Sequence, residues 1–203
     1  MRLLLGLLLT TAWMASASAE PLGKPPEGLA QATFAGGCFW CVEEAFDPVE
    51  GVEKTISGYT GGEIPDPSYR QVSSGDTGHA EAVRIHYDPD RVTYRELLDV
   101  FWRNIDPTVE DRQFCDRGPQ YRSAIFHHGS EQKRLAEKTR RAIEESGQLP
   151  GEVKTEIVPA GPFYAAEDYH QNYYVKNPTR YKFYKRACGR ADRLEELWGK
   201  QAG

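Results

Sequence analysis

Segments with the alternation of β-strands and segments with the periodicity of helices follow one another along most of this 203-residue chain. The strand patterns are QATFAGG, VEKTISGYTGG, HAEAVRIHYDPD, SAIFHH and EVKTEIVPA. Helical patterns lie between several of them, among them YRELLDVFWRNI with a Thr93–Glu96 capping box. Long loops are confined to residues 104–122, and no internal repeat is present. This order predicts one domain of the α/β or α+β class, with helices covering a sheet.

The first 19 residues, MRLLLGLLLTTAWMASASA, predict a secretory signal peptide with Arg2 before an apolar run and a small-residue cleavage site at its end. The run is shorter than the roughly 20 residues that a membrane span needs. Residues 20–30 are rich in Pro and Gly and are interpreted as a flexible leader, and residues 31–203 as the folded domain. The mature protein is therefore expected to be periplasmic or secreted, without membrane attachment after cleavage.

Charge and cysteine content narrow the class of protein. The formal net charge is −5, and loss of Arg2 with the signal peptide makes it −6 (−5 − 1). This charge disfavours nucleic acid and anionic membranes as partners. Four cysteines in an exported protein suggest disulfides, with three possible connectivities. Zinc is disfavoured because only Cys38 and Cys41 are closely spaced, so no metal site is predicted. A monomer is expected.

The sequence GGCFWCVE at residues 36–43 places two cysteines at the expected start of a helix. A helix N-terminus lowers the pKa of a thiol, so Cys38 is predicted to be a nucleophile with a pKa below that of a free thiol. A lone cysteine is more often an inert core residue, but the Cys-x-x-Cys spacing favours redox or nucleophilic chemistry. Phe39 and Trp40 are core candidates that could instead line an apolar pocket.

The stretch HAEAVRIHYDPD predicts a strand whose apolar face carries a carboxyl group. Glu81 alternates with Val83, Ile85 and Tyr87, so it is expected to point inward. One interpretation is a salt-bridged or edge-facing residue. The functional one is an acid whose pKa is raised by burial, so that it stays protonated and donates a proton. A thiol, an apolar pocket and a neutral acid together suggest reductive attack on a weakly polar group that loses an oxygen.

The segments GGCFWCVEEAF, GYTGG, PSYRQVSSGDTGHAEAVRIHYDP, QFCDRGPQYRSAIF and EDYHQNYYVKNP resemble those of the peptide methionine sulfoxide reductase A family, over residues 31 to about 180. The resemblance implies an α+β fold, a two-layer α/β sandwich with a ferredoxin-like mixed sheet covered by helices and long coil segments. It implies a single catalytic domain over residues 31–203 that reduces methionine S-sulfoxide, free or in proteins. No cofactor is implied beyond a dithiol or thioredoxin-like electron donor, which for an exported enzyme is an envelope protein.

The same resemblance assigns roles by position. Cys38 is the implied nucleophile, which becomes a sulfenic acid, and Glu81 the implied donor of a proton to the sulfoxide oxygen. Phe39 and Trp40 are implied to hold the ε-methyl group of the substrate. The residues implied to hydrogen-bond around the sulfoxide oxygen and the acid are Tyr69, Asp116 and Tyr121, and His170 is assigned to substrate binding.

The C-terminal sequence RACGRADRLEELWGK departs from the glycine-rich tail in which many family members carry resolving cysteines. Cys41 lies one helical turn from Cys38 and is the predicted resolving thiol, with Cys115 and Cys188 as alternatives. Cys115 and Cys188 are predicted to form a structural disulfide. Such a bond closes a loop of 73 residues (188 − 115), which stabilises the fold by about 4 kcal/mol in the chain-entropy model.

Two other functions fit parts of the sequence. CFWC is compatible with a thioredoxin-like dithiol oxidoreductase, although Glu81 and the tyrosines then have no role. The second is a disulfide-stapled envelope protein that binds methionine-containing peptides without catalysis. Insulin reduction without activity on methionine sulfoxide would favour the first, and full function in a Cys38→Ser variant would favour the second.

Overall fold

The computed structural model describes residues 20–200. Its strands are β1 Ala30–Gly36, β2 Val52–Thr60, β3 Ala80–Tyr87, β4 Arg112–Gln113, β5 Asp116–Arg117, β6 Ser123–His127, β7 Glu156–Pro159 and β8 Phe163–Ala165. Its helices are α1 Phe39–Phe46, α2 Tyr69–Ser73, α3 Tyr94–Arg103, α4 Ser130–Glu145, α5 Tyr173–Lys176, α6 Pro178–Ala187 and α7 Arg190–Trp198. Six strands form a sheet in the order β7-β6-β1-β3-β2-β8, and β4 pairs with β5 separately.

The four central strands have the order and direction of a ferredoxin-like sheet. β6, β1, β3 and β2 lie side by side, and each is antiparallel to its neighbours in this group. Helix α1 connects β1 to β2, and α3 lies between β3 and β6 in the chain. β7 follows α4 and pairs in parallel with β6, while β8 pairs antiparallel with β2. The predicted α+β sandwich with a mixed sheet in a single domain is confirmed.

The main core lies between the sheet and helices α1, α3 and α4. Phe34 of β1 stacks on Phe46 of α1 and Phe101 of α3, with ring centroids 5.4 and 4.9 Å apart. Ile125 of β6 and Ala136 of α4 belong to the same buried cluster. Burial of each large apolar side chain contributes roughly 1.5–3 kcal/mol. This packing fixes the start of α1 relative to the central strands.

Strand β3 is buried on both faces, whereas the alternation of its residues predicted one buried face. Val83 and Ile85, which alternate with Glu81, belong to the main core as expected. On the opposite face, Ala82 packs in a second buried cluster with Phe163 of β8. Alanine occurs on both buried and exposed faces, so Ala82 did not indicate from the sequence that this face of β3 is covered.

Part of the predicted leader packs on this second face. The Leu22 N–H donates to the Phe163 carbonyl at 2.8 Å. The Arg84 guanidinium donates to the carbonyls of Leu22 and Gly23, and it lies 4.5 Å from the centre of the Phe163 ring. These contacts hold the segment around Leu22 against the sheet.

Differences from the sequence prediction lie at element ends and near the C-terminus. The capping box of α3 is present, since Thr93 Oγ1 accepts the Glu96 N–H. Helix α4 begins at Ser130 and is preceded by Gly129. Helix α6 and strand β8 were not predicted, because the aromatic segment around them has no clear helical or strand period.

Between residues 20 and 200, no helix is both long enough and apolar enough to cross a membrane. The predicted signal peptide, residues 1–19, lies outside the described residues.

Candidate active site

Cys38 lies at the tight junction between β1 and α1. Gly37 has φ +84°, and a Cβ at this position would lie 2.5 Å from Cβ of Gln113. Gln113 is buried, and its side-chain amide both accepts from and donates to the backbone of Asp106. Because only glycine fits this conformation and this spacing, the chain leaves β1 sharply and places Cys38 at the N-terminal end of α1.

Cys38 lines a cavity of about 120 Å³. The other residues that line it are Phe39, Trp40, Tyr69, Glu81, Asp116, Tyr121 and Tyr184. The first six of these were named from the sequence, and Tyr184 was not. The cavity therefore brings together a thiol, two carboxyl groups, three phenols and two apolar rings.

Glu81 is fixed to the nucleophile segment by one hydrogen bond. The backbone N–H of Phe39, the first residue of α1, donates to Glu81 Oε2 at 3.1 Å. Glu81 is 2% exposed. Burial raises the pKa of its carboxyl to about 8, and the Phe39 N–H, which favours the charged form, offsets part of this effect. At neutral pH most of the Glu81 population is therefore protonated and able to donate a proton.

The structure reverses the direction expected for the pKa of Cys38. Burial raises this pKa well above that of a free thiol, and hydrogen bonding to the Cys41 thiol and the nearby carboxyl groups of Glu81 and Asp116 add to the rise. The Phe39 N–H at the start of the helix donates to Glu81 and not to the Cys38 sulfur. The hydrogen bond from Cys38 lowers the pKa of Cys41 to about 6, so the two thiols are coupled.

We expect iodoacetamide to leave Cys38 largely unmodified at pH 7 and to label it progressively above pH 9, because the thiolate is the reactive form. Peptide mapping of the labelled protein across this range checks the expectation. Urea-unfolded protein is the control, and in it Cys38 should react with the profile of an ordinary thiol. Complete labelling of Cys38 at pH 6 in the folded protein would contradict a raised pKa.

Hydroxyl donors and a second carboxyl group occupy the polar side of the cavity. Tyr69 begins α2, Asp116 lies in β5, and Tyr121 ends the 3₁₀ turn Pro119–Tyr121. Burial and the neighbouring Glu81 carboxyl raise the pKa of Tyr69 to about 12 and that of Tyr121 further, so both phenols stay protonated. Such an arrangement suits a neutral group with one strongly accepting oxygen and an apolar substituent.

Comparison with known proteins agrees with this chemistry. The family model described as Peptide methionine sulfoxide reductase matches residues 30–202. The chain belongs to the peptide methionine sulfoxide reductase family. It is 51% identical to Peptide methionine sulfoxide reductase MsrA of Bacillus subtilis (strain 168) over 168 residues, which cover 83% of this chain and 95% of that protein.

Two solved structures have the same fold as this reductase. Methionine sulfoxide reductase A of Corynebacterium diphtheriae is 38% identical, with a TM-score of 0.68 over 75% of this chain and 76% of that chain. Reduced Mxr1 from Saccharomyces cerevisiae is 34% identical, with a TM-score of 0.71 over 77% of this chain and 90% of that chain. The protein is therefore an oxidoreductase that acts on methionine sulfoxide.

His170 is not among the residues that line the cavity of the reductase, and its assignment to substrate binding stays a prediction. His170 Nδ1 accepts a hydrogen bond from Trp40 Nε1 at 3.1 Å, and its ring lies 4.4 Å from that of Tyr69 between centroids. Trp40 also stacks on Tyr173 with centroids 3.7 Å apart. His170 therefore holds the indole of Trp40 in the apolar wall.

A disulfide joins Cys115 to Cys188 in the reductase, with Cα atoms 4.9 Å apart. Cys38 and Cys41 are free and buried. Cys115 precedes the cavity residue Asp116, and Cys188 follows the cavity residue Tyr184 by one helical turn. The disulfide therefore lies next to the cavity. The pairing expected from the sequence is the one present.

Proposed function

We propose that this reductase converts methionine S-sulfoxide to methionine by direct attack of the Cys38 sulfur on the sulfoxide sulfur. The observation that carries the proposal is the Phe39 N–H hydrogen bond to Glu81, which holds an uncharged acid beside the nucleophile in one cavity. The rings of Phe39 and Trp40 form the apolar side, which suits the S-methyl group. The phenols of Tyr69 and Tyr121 suit the sulfoxide oxygen as hydrogen-bond donors.

The first step neither gains nor releases a net proton. Glu81 gives its proton to the sulfoxide oxygen as the S–S contact forms, and the Cys38 proton replaces the one that Glu81 lost. The transient bond between the two sulfurs and the S–O bond of the substrate then break as the oxygen bonds to Cys38, so methionine leaves and Cys38 becomes a sulfenic acid. Because Cys38 starts as a thiol, a neutral Glu81 is needed to make the sulfoxide electrophilic.

Cys41 is the proposed resolving thiol. Interaction with the Cys38 thiol lowers the pKa of Cys41 to about 6, which supplies a thiolate at neutral pH. Side chains on adjacent helical turns have Cβ atoms about 5–6 Å apart, whereas a disulfide needs about 3.5–4.5 Å, so the first turn of α1 has to tighten by about 1–2 Å. Attack on the sulfenic acid forms the Cys38–Cys41 disulfide and releases water.

We expect one turnover without reductant to leave a disulfide between Cys38 and Cys41. The enzyme would be mixed with one equivalent of a peptide methionine sulfoxide, stopped with acid, and then digested with trypsin at neutral pH. The tryptic peptide that carries both residues should lose the mass of two hydrogen atoms, since no Lys or Arg separates them. The same digest of unreacted enzyme is the control. A peptide crosslinked between Cys38 and Cys115 or Cys188 would refute this pairing.

We further propose that the enzyme repairs oxidised proteins in the cell envelope as a periplasmic or secreted monomer. The signal-like sequence of residues 1–19 supports export. A thioredoxin-like envelope protein then returns the disulfide to thiols by dithiol exchange, without another cofactor. N-terminal sequencing of the periplasmic fraction should find a mature chain that begins at Glu20. A chain that keeps Met1 in the cytoplasm would contradict export.

A further inference from the structure

Tyr184, on helix α6, lines the cavity although no sequence motif pointed to it. Its hydroxyl donates a hydrogen bond to Asp116 Oδ2. Its ring meets the Trp40 ring edge-on, with centroids 6.0 Å apart. Tyr184 is therefore in contact with both the polar and the apolar side of the site.

Helix α6 is also attached at this place by a covalent bond. The Cys188 N–H donates to the Tyr184 carbonyl at 3.0 Å, so the two residues lie on adjacent turns. Cys188 is bonded to Cys115, the residue that precedes Asp116. Residues 115–116 and helix α6 are thus joined twice, by the disulfide and by the Tyr184–Asp116 hydrogen bond. Cys115 is exposed, so a dithiol can reach this disulfide from solvent.

We propose that Tyr184 is a positioning residue that acts on Glu81 through Asp116, and that the Cys115–Cys188 disulfide holds Tyr184 in place. The oxidation state of an exposed disulfide then controls the protonation of the acid in the cavity. The proposal rests on the proposed role of Glu81 as proton donor, and it adds a means of regulation to it.

The electrostatic argument has two steps. Burial raises the pKa of Asp116, whereas the hydrogen bond from Tyr184 favours the carboxylate and lowers it. The negative charge of Asp116 in turn adds to burial in raising the pKa of Glu81. The Tyr184 hydroxyl holds the Asp116 carboxylate at the cavity that Glu81 also lines. Without this hydrogen bond the carboxylate is free to turn toward solvent, where its charge raises the pKa of Glu81 less, so Glu81 ionises at a lower pH.

Other ionisable groups around these two carboxyls do not substitute for Tyr184. Arg190 on α7 also favours the Asp116 carboxylate, and its contribution remains when the hydroxyl is removed. The remaining ionisable neighbours are thiols and phenols, which are Cys38 and Cys41 on α1, Tyr59 on β2, Tyr69 on α2 and Tyr121 after β5. Among all of these, Tyr184 is the hydroxyl bonded to Asp116.

Reduction of the disulfide should act in the same direction as loss of the hydroxyl. A dithiol reductant exchanges with the Cys115–Cys188 bond, which takes up two electrons and two protons and becomes two thiols while the reductant becomes a disulfide. Helix α6 then keeps only noncovalent contacts near Asp116. The population with the Tyr184–Asp116 hydrogen bond should fall, and with it the pH at which Glu81 loses its proton.

The test is the pH dependence of single-turnover methionine formation. For wild-type enzyme with the disulfide intact, the rate should decline as pH rises through about 8, where Glu81 ionises. In Tyr184→Phe this decline should move to lower pH by about half a unit to one unit, which is roughly a three- to tenfold slower rate at pH 8.5. A Cys115→Ser/Cys188→Ser double variant should shift it in the same direction.

Tyr174→Phe is the matched control, because Tyr174 also donates to a carboxylate, Asp47, at 2.6 Å but does not line the cavity. Its pH profile should coincide with that of wild type. If the double variant does not fold, wild-type enzyme whose Cys115–Cys188 bond has been opened by dithiothreitol, with thiol counting and circular dichroism, takes its place.

The outcomes separate the two parts of the proposal. A Tyr184→Phe profile that coincides with wild type would overturn the role of Tyr184, even if its rate were uniformly lower. An unshifted profile after loss of the disulfide would overturn the role of that bond. A wild-type rate without any decline between pH 7 and 9.5 would instead refute Glu81 as the proton donor.

Discussion

We expect the Cys38→Ser variant to form no methionine from methionine sulfoxide, a loss of at least about 10⁴-fold in single-turnover rate. A serine hydroxyl is a poor nucleophile toward sulfur and cannot form the sulfenic acid that takes up the oxygen. The fold should be retained, because Cys38 is a small buried side chain outside the disulfide. Methionine release, measured by mass spectrometry of a peptide methionine sulfoxide, checks this result.

Cys41→Ser is the matched control for the nucleophile. It removes the neighbouring thiol, which is equally buried, but leaves Cys38 to react once. This variant should release about one equivalent of methionine and then stop with a sulfenic acid that dimedone can trap. If Cys38→Ser kept more than a few per cent of the wild-type single-turnover rate, another group would have to be the nucleophile.

We expect Glu81→Gln to slow the single-turnover rate by about 10²–10⁴-fold, because glutamine keeps the shape of the acid but has no proton to transfer. The Phe39 N–H can still be accepted by the amide oxygen, so the start of α1 should stay in position. Binding of the substrate should therefore change less than the rate. A reduction of less than threefold would leave Glu81 with a structural role.

The same variant should be more stable than wild type at alkaline pH. Glu81 has a pKa of about 8 in the folded protein against 4.5 as its ordinary value. Folding therefore retains a proton that the unfolded chain loses between pH 4.5 and 8, and the free energy of unfolding falls as pH rises through this window. The loss amounts to about 4 kcal/mol at pH 8, and glutamine does not incur it.

Thermal unfolding of the two proteins measures this difference. At pH 8 the Tm of Glu81→Gln should exceed that of wild type by roughly 10 °C, and the gap should narrow toward pH 5. Equal Tm values at both pH values would mean that Glu81 is not neutral in the folded enzyme. Glu81→Gln should thus lower activity and raise stability at alkaline pH. The reason is that the buried acid is needed for its proton, and keeping that proton costs stability.

Sequence patterns predicted the parts of the site that depend on local backbone geometry. Cys38 follows two glycines at a helix start, and Glu81 alternates with Val83 and Ile85 on a strand, so the position of each is fixed within a few residues. The order of strands and helices likewise restricted the fold to a sheet covered by helices. The family resemblance, and not a local pattern, identified Tyr69, Asp116 and Tyr121. Nothing in their own segments indicates that they lie close to Cys38 and Glu81.

Features that depend on packing between distant segments were not predicted. Tyr184 reaches the cavity because α6 packs beside Trp40 and residues 115–116, and no local pattern encodes that distance. The pKa of Cys38 was assigned the wrong direction because the sequence did not show how deeply the thiol is buried, and burial raises its pKa. His170 accepts a hydrogen bond from Trp40, and its assignment to substrate binding stays a prediction.

The residues that line the cavity belong to two different parts of the fold. Cys38 and Glu81 are carried by the junction of β1 with α1 and by β3, in the middle of the ferredoxin-like sheet. Asp116, Tyr121 and Tyr184 come from segments that do not belong to that sheet. Substitutions in these outer segments can change the polar side of the cavity and the pKa of Glu81 while Cys38 and Glu81 keep their positions in the sheet. Selection can therefore adjust the rate and the pH dependence of the reaction on one part of the molecule while the placement of the reacting pair is inherited unchanged on the other.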